Sequence, residues 1–167
     1  YLLLVYGRLT GLDERIKRGE YAIDSGSTAQ GLLQKIVSGD VIRYSVTFPE
    51  GITLARAVGI LAEQRHLTIE LIGPSDPKIS ELVKPRLSAE GLFFPDTYQY
   101  ERGSSDWQVL QRAFARMEKI LATQWQSRGD SLPYETPYEA LIMASIIERE
   151  TGIPSEREAI AGVFVER

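Results

Sequence analysis

Apolar side chains recur along this chain at helical and at alternating spacings, and Gly, Pro and Ser clusters separate the segments. Residues 1–18 set Leu2, Val5, Tyr6, Leu9, Leu12 and Ile16 mostly three or four apart, which predicts a helix interrupted near Gly11. Tyr21-Ala22-Ile23 reads as a short strand and Asp24 to Thr28 as a turn and N-cap. Leu32, Leu33, Ile36 and Val37 then share one helical face, which Gly39 ends. A shift of 25 residues, carrying Gly26 to Gly51 and Thr28 to Thr53, reproduces that unit. Its second copy has Ser45 to Phe48 as strand, Pro49 to Thr53 as turn and cap, and a helix with Ala57, Val58, Leu61 and Ala62. Solenoids need about three copies or more, so two copies predict a compact pair of strand–helix units.

Residues 69–89 are rich in Pro, Ser and Gly, with Gly73-Pro74-Ser75-Asp76-Pro77 as the clearest turn, and are the expected boundary region. After it, Leu92-Phe93-Phe94 runs into Pro95, which forbids a regular central strand there. Aromatics followed by the small polar groups of Asp96, Thr97 and Tyr98 suit either a pocket wall or a core plug with an Asx turn. Ser105-Asp106 caps a long helix to about Ser127, whose Trp107, Leu110, Phe114, Met117 and Leu121 form a core stripe.

The helix that organises the rest is expected from Thr136 onward. Thr136 as N-cap, Pro137 at the first helical position and Glu139 three residues on make a capping box. From Ala140 to Ile147 only Ser145 is polar, and a helix apolar all round is normally buried. Glu148 is therefore expected to emerge from apolar surroundings, where a carboxyl resists ionisation and can act as a general acid. Glu150, two residues on, points to roughly the opposite face, so the two cannot work as a close pair. The plain alternative makes both the polar end of a core helix, with Arg149 and Arg157 as ion-pair partners. Gly152-Ile153-Pro154 breaks the chain, and Ser155 with Glu158 forms a second capping box. A tight turn there sets Ser155 and Glu156 beside Glu148.

The run Ala144-Ser145-Ile146-Ile147-Glu148-Arg149-Glu150-Thr151, with Ser155-Glu156-Arg157 and Val163-Phe164-Val165, closely resembles the core motif of the MltG (YceG-like) family, the endolytic murein transglycosylases. Glu90-Gly91-Leu92-Phe93-Phe94-Pro95-Asp96-Thr97-Tyr98 resembles that family's second signature. The resemblance implies an α+β fold with a small LysM-like strand/helix subdomain over 1–68, a linker over 69–89, and the first half of a mainly helical catalytic domain over 90–167. It makes Glu148 the catalytic acid/base. Beside that motif the cleft reading of Asp96, Thr97 and Tyr98 stands level with the core-plug one, and Glu90, Glu150 and Glu156 are further candidates for orienting or charge-tuning roles.

The implied reaction is cleavage of the bond between N-acetylmuramic acid and N-acetylglucosamine with a 1,6-anhydro end, which needs one carboxylate, no metal and no cofactor. Ordinary glycoside hydrolysis needs two. The implied partners are peptidoglycan glycan strands and cell-wall synthesis proteins. The implied location is the extracytoplasmic face of the bacterial cytoplasmic membrane, through an anchor on the parent protein. The family's catalytic domain continues past the Val163 to Arg167 element, so the chain is expected to be a fragment; separately, Glu166 departs from the family, which usually has asparagine there.

Composition narrows the alternatives. At 167 residues with 43% hydrophobic side chains the chain can build a real core, and a net charge of −4 with scattered basic residues argues against nucleic acid as partner. No cysteine is present, so disulfides and thiolate metal sites are excluded. The lone His66, at a helix end, excludes a multi-histidine metal site within the chain. A pyridoxal-phosphate lyase would need a Schiff-base lysine, and Lys17, Lys35, Lys78, Lys84 and Lys119 all sit in polar or turn contexts. The rival from another class is a non-catalytic peptidoglycan-binding or scaffold module.

Overall fold

A computed structural model describes residues 7–8, 11–129 and 132–165. A 3-10 turn at Asp13–Arg15 precedes α1 (Ala29–Ser38), β1 (Arg43–Thr47), α2 (Leu54–Ala62), α3 (Pro77–Leu82), β2 (Thr97–Glu101) and α4 (Asp106–Gln126). Then come α5 (Pro137–Glu150), a 3-10 turn at Pro154–Glu156 and α6 (Arg157–Val165). The fold is α+β, helices around a two-stranded antiparallel sheet.

Local chemistry explains where the elements start and stop. Thr28 Oγ1 accepts from Gly31 N at 3.1 Å, and Thr53 Oγ1 accepts from Arg56 N at 3.3 Å, so the two equivalent threonines cap α1 and α2 alike. Gly39 turns left-handed at φ 77° and donates to Lys35 O, which closes α1. Asp76 and Pro77 start α3. Ser105 and Gln108 form a capping box at α4.

The strand expected at Tyr21–Ile23 does not form. The Tyr21 hydroxyl instead donates to Lys17 O and Ile36 O, and Ile23 is exposed, so the segment is tied down as irregular chain beside α1. Of the helix expected over 1–18, Leu2, Val5, Tyr6 and Leu9 lie outside the described residues. From Gly11 onward the chain makes a turn and the 3-10 turn rather than a continuous helix.

β1 finds its partner far along the sequence, with Tyr44 opposite Tyr100, Val46 opposite Tyr98 and Thr47 opposite Thr97. Period-two alternation then separates two faces. Val46, Tyr98 and Tyr100 are buried and Tyr44 half-buried, while Arg43, Ser45, Thr47, Thr97, Gln99 and Glu101 face outward. The inner face meets Phe48, Leu54, Ala57, Val58 and Leu61 from the α2 region, and Val109, Leu110 and Ala113 from α4. Leu71, Ile79 and Val83, from the Pro/Ser/Gly-rich stretch 69–89, are buried in the same core, as are Leu92 and Phe93.

Candidate active site

α5 starts as its capping box dictates. Thr136 Oγ1 accepts from Glu139 N at 3.3 Å, and the Glu139 carboxylate accepts from Glu135 N at 2.8 Å and Thr136 N at 3.4 Å. Its surroundings differ from those expected of an apolar helix. No α5 residue is buried; Tyr138 and Leu141 pack against the core, but Ile142 is 45% and Ile146 36% exposed. The reason is topological. Among the described elements α5 packs chiefly against α4 and α6, and two helices cannot enclose a third.

The helix ends at Thr151, which turns to an extended conformation and is 6% exposed. Its hydroxyl donates to Glu156 Oε2 at 2.8 Å and accepts from Ile153 N at 2.9 Å. That latch folds the Pro154–Glu156 turn back onto the end of α5. Arg157 is thereby delivered to Glu148, its Nη2 donating to Glu148 Oε2 at 2.8 Å. The Glu148 side chain is one-third exposed, at 33%, and its Oε1 accepts no bond from a described residue. The apolar slot expected around this carboxyl is thus an ion pair at a helix corner, with one oxygen held and one open. α6 begins at Arg157 after the 3-10 turn, and no Ser155 capping bond forms.

The other expected site residues fall in separate places. Glu150 is exposed on the far side of α5, as its two-residue offset requires. Glu156 touches the site through Thr151. The Glu90 carboxylate is engaged elsewhere, accepting from Leu54 N at 3.1 and 3.2 Å at the start of α2. Asp96 pairs with Arg116, whose guanidinium lies 5.4 Å from the Phe94 ring centroid, and Thr97 shares a 2.8 Å hydroxyl bond with Thr47. Tyr98 is a core residue rather than a cleft wall. Its hydroxyl donates to Phe94 O at 2.6 Å, and burial, with Asp96 nearby, pushes the phenol up to about 12. No hydrogen bond or ion pair joins Asp96, Thr97 or Tyr98 to Glu148.

Sequence reasoning missed three participants. Thr151 reads as the end of a motif, yet it is the buried latch. Arg116, one of two arginines on a long helix, gives no signal of its pairing with Asp96. A groove of about 740 Å³ between the outer face of β2 and α4, lined by Arg43, Gln99, Gln111 and Arg112 among others, contains none of the expected site residues. Among the described residues no cluster of three His, Asp or Glu side chains could hold a metal.

The model of the YceG-like family matches residues 1–167. The chain belongs to the YceG-like family. Curated relatives are named endolytic murein transglycosylase. The one from Streptococcus pneumoniae serotype 2 (strain D39) is 26% identical over 182 residues, covering 91% of this chain and 32% of that protein. The one from Bacillus subtilis (strain 168) is 24% identical over 167 residues, covering 89% of this chain and 46% of that protein. The chain therefore spans about a third to just under a half of the length of these relatives. A crystal structure of the yceG-like protein lmo1499 from Listeria monocytogenes superimposes with a TM-score of 0.55 at 22% identity, over 98% of this chain and 59% of that one. That likeness supports the fold. Among the described residues no helix is long and apolar enough to cross a membrane.

Proposed function

We propose that this chain is part of an endolytic peptidoglycan lytic transglycosylase, with Glu148 as its acid/base. The observation that carries the reading is the Glu148 carboxylate at the α5–α6 corner, one oxygen fixed by Arg157 and the other open. In this reading Glu148 reacts from its protonated form, with Arg157 hydrogen-bonded to Oε2 and the proton on the open Oε1; that proton passes to the oxygen that links N-acetylmuramic acid to N-acetylglucosamine, and the C1–O bond breaks. The C6 hydroxyl of the muramic residue attacks C1 and closes a 1,6-anhydro ring. Its proton returns to the Glu148 carboxylate, so no water is consumed and one side chain serves both steps. Names of relatives as murein transglycosylases support the substrate class.

Around this centre, residues 1–68 are read as a LysM-like subdomain and 90–167 as the first half of the catalytic part. Asp96 and Thr97 are assigned to the cleft, Glu150 and Glu156 to its charge. The parent protein is taken to act outside the cytoplasm, anchored to the membrane.

The test uses the full-length protein on purified murein with analysis of anhydro-muramyl ends. Glu148→Gln is expected to lower their formation at least about 10³-fold with an unchanged melting curve, because the amide cannot donate the proton. Turnover retained in that variant overturns the assignment, and no anhydro ends from the unaltered protein leaves the chain a binding or scaffold module.

A further inference from the structure

The groove between the two-stranded sheet and α4 lies outside the Glu148 corner, and its chemistry is coherent. The bond from Phe48 N to Asp96 O fixes which pairs of the ladder exchange hydrogen bonds. By alternation the backbone of Gln99 points away from β1, toward α4. Arg112 crosses to that edge, its Nη1 donating to Gln99 O at 2.6 Å, so one guanidinium nitrogen is used in fixing the wall, and the residue lines the groove. Arg43 stands on the outer face of β1 and also lines the groove.

Neither arginine has a carboxylate partner among the described residues. Nearby Arg102 and Arg116 are tied instead to Glu20 and Asp96. The Gln99 and Gln111 side chains also line the groove without a described partner, each offering an amide donor and an acceptor. Glu101 faces Arg43 across the ladder without pairing to it, and leaves an acceptor for an N–H group. Two guanidinium groups lining one groove fit a carboxylate, and free amides fit peptide bonds.

We propose that this groove binds the peptide stems of peptidoglycan, taking a stem carboxylate between Arg43 and Arg112 and peptide amides on Gln99 and Gln111. The proposal rests on the murein reading above and adds to it a second contact, so that the glycan cut at Glu148 is held by its peptide as well as by its sugars.

The experiment titrates the full-length Glu148→Gln protein, labelled with ¹⁵N, with three probes: a disaccharide-peptide with free carboxylates, the same compound with its peptide carboxylates amidated, and a peptide-free glycan oligomer. The first is expected to shift the amide signals of Gln99, Tyr100 and Arg112. Amidation is expected to weaken its binding about tenfold or more. Arg43→Gln, which touches no described partner, should weaken binding of the first probe similarly and leave binding of the peptide-free glycan unchanged. Arg112→Gln should do the same, with its melting curve as control because it also holds Gln99. Equal binding of the free and amidated probes, or groove signals that move with peptide-free glycan alone, overturns the proposal. Turnover of unaltered protein on murein is measured separately, so loss of stem binding with turnover intact sinks this inference and leaves the Glu148 reading standing.

Discussion

Asp106 shows how much a single side chain can carry that its sequence context conceals. Beside Ser105 it reads as part of a helix cap, yet it is 1% exposed and binds across the chain. Its Oδ1 accepts from Glu70 N at 2.9 Å and Trp107 N at 2.7 Å, and its Oδ2 accepts from Leu71 N at 3.2 Å. Asp106→Ala strands those donors, so a loss of about 2–4 kcal/mol in urea unfolding is expected, with Asp106→Asn in between. A loss below about 1 kcal/mol would contradict the clamp. Two other carboxyls carry a pH signature. Glu20 is held below its ordinary 4.5 by bonds from Arg102 and then Tyr44, and Asp76 below its ordinary 3.8 by the backbone N–H groups of Ile72 and Lys78. Unfolding restores both to their ordinary values, so the unfolded chain takes up protons first as the pH falls. Their stabilisation is present above the ordinary values and is lost as the pH drops through the lowered ones. Melting temperature should therefore hold steady down to about pH 5 and fall below it, and the double variant Glu20→Gln, Asp76→Asn should fall less steeply. Identical slopes would remove this account.

Helix boundaries were the legible part of the elements, because a cap is a contact between residues two or three apart. Thr28, Thr53, Ser105 and Thr136 each accept the backbone bond their position predicts. Thr136→Ala should cost about 1 kcal/mol. Since α5 has no buried residue, that loss is expected as faster amide exchange near Glu139 and Ala140, with a smaller change in the global transition. An unchanged exchange rate there would mean the box contributes nothing. The Tyr21–Ile23 strand failed for the complementary reason. β propensity is only a willingness to pair: beside β1 the segment makes a single backbone bond among the described residues, Ile42 N to Glu20 O, and the Tyr21 side chain turns to Lys17 O and Ile36 O instead. The apolar run Ala140–Ile147 likewise reports what a helix could bury, while the neighbours present decide what it does bury.

Across the whole molecule one core runs from Val46 to Ala113, and the α5–α6 hairpin sits at its margin. Hydrogen exchange should follow that division, with the slowest amides in β1, β2, α2 and α4 and markedly faster ones over 139–165. Equal protection in both regions would show that the hairpin is held by more than the contacts described. At this scale the stretch 69–89 was the hardest to read. Its Gly, Pro and Ser content signals turns, but Leu71, Ile79 and Val83 are buried in the shared core, because burial depends on which surfaces meet and not on local flexibility. The site divides in the same way. Sequence alone determined the caps, the helical and alternating periods, the opposed faces of Glu148 and Glu150, and the break at Gly152 to Pro154, all of which follow from bonding and geometry within a few residues. Only tertiary structure decided that Arg157 meets Glu148, that Tyr98 is core, that Glu90 serves α2, and that β2 and α4 enclose a polar groove. Those outcomes depend on pairings between distant segments, and no local pattern encodes which distant surface a side chain will find.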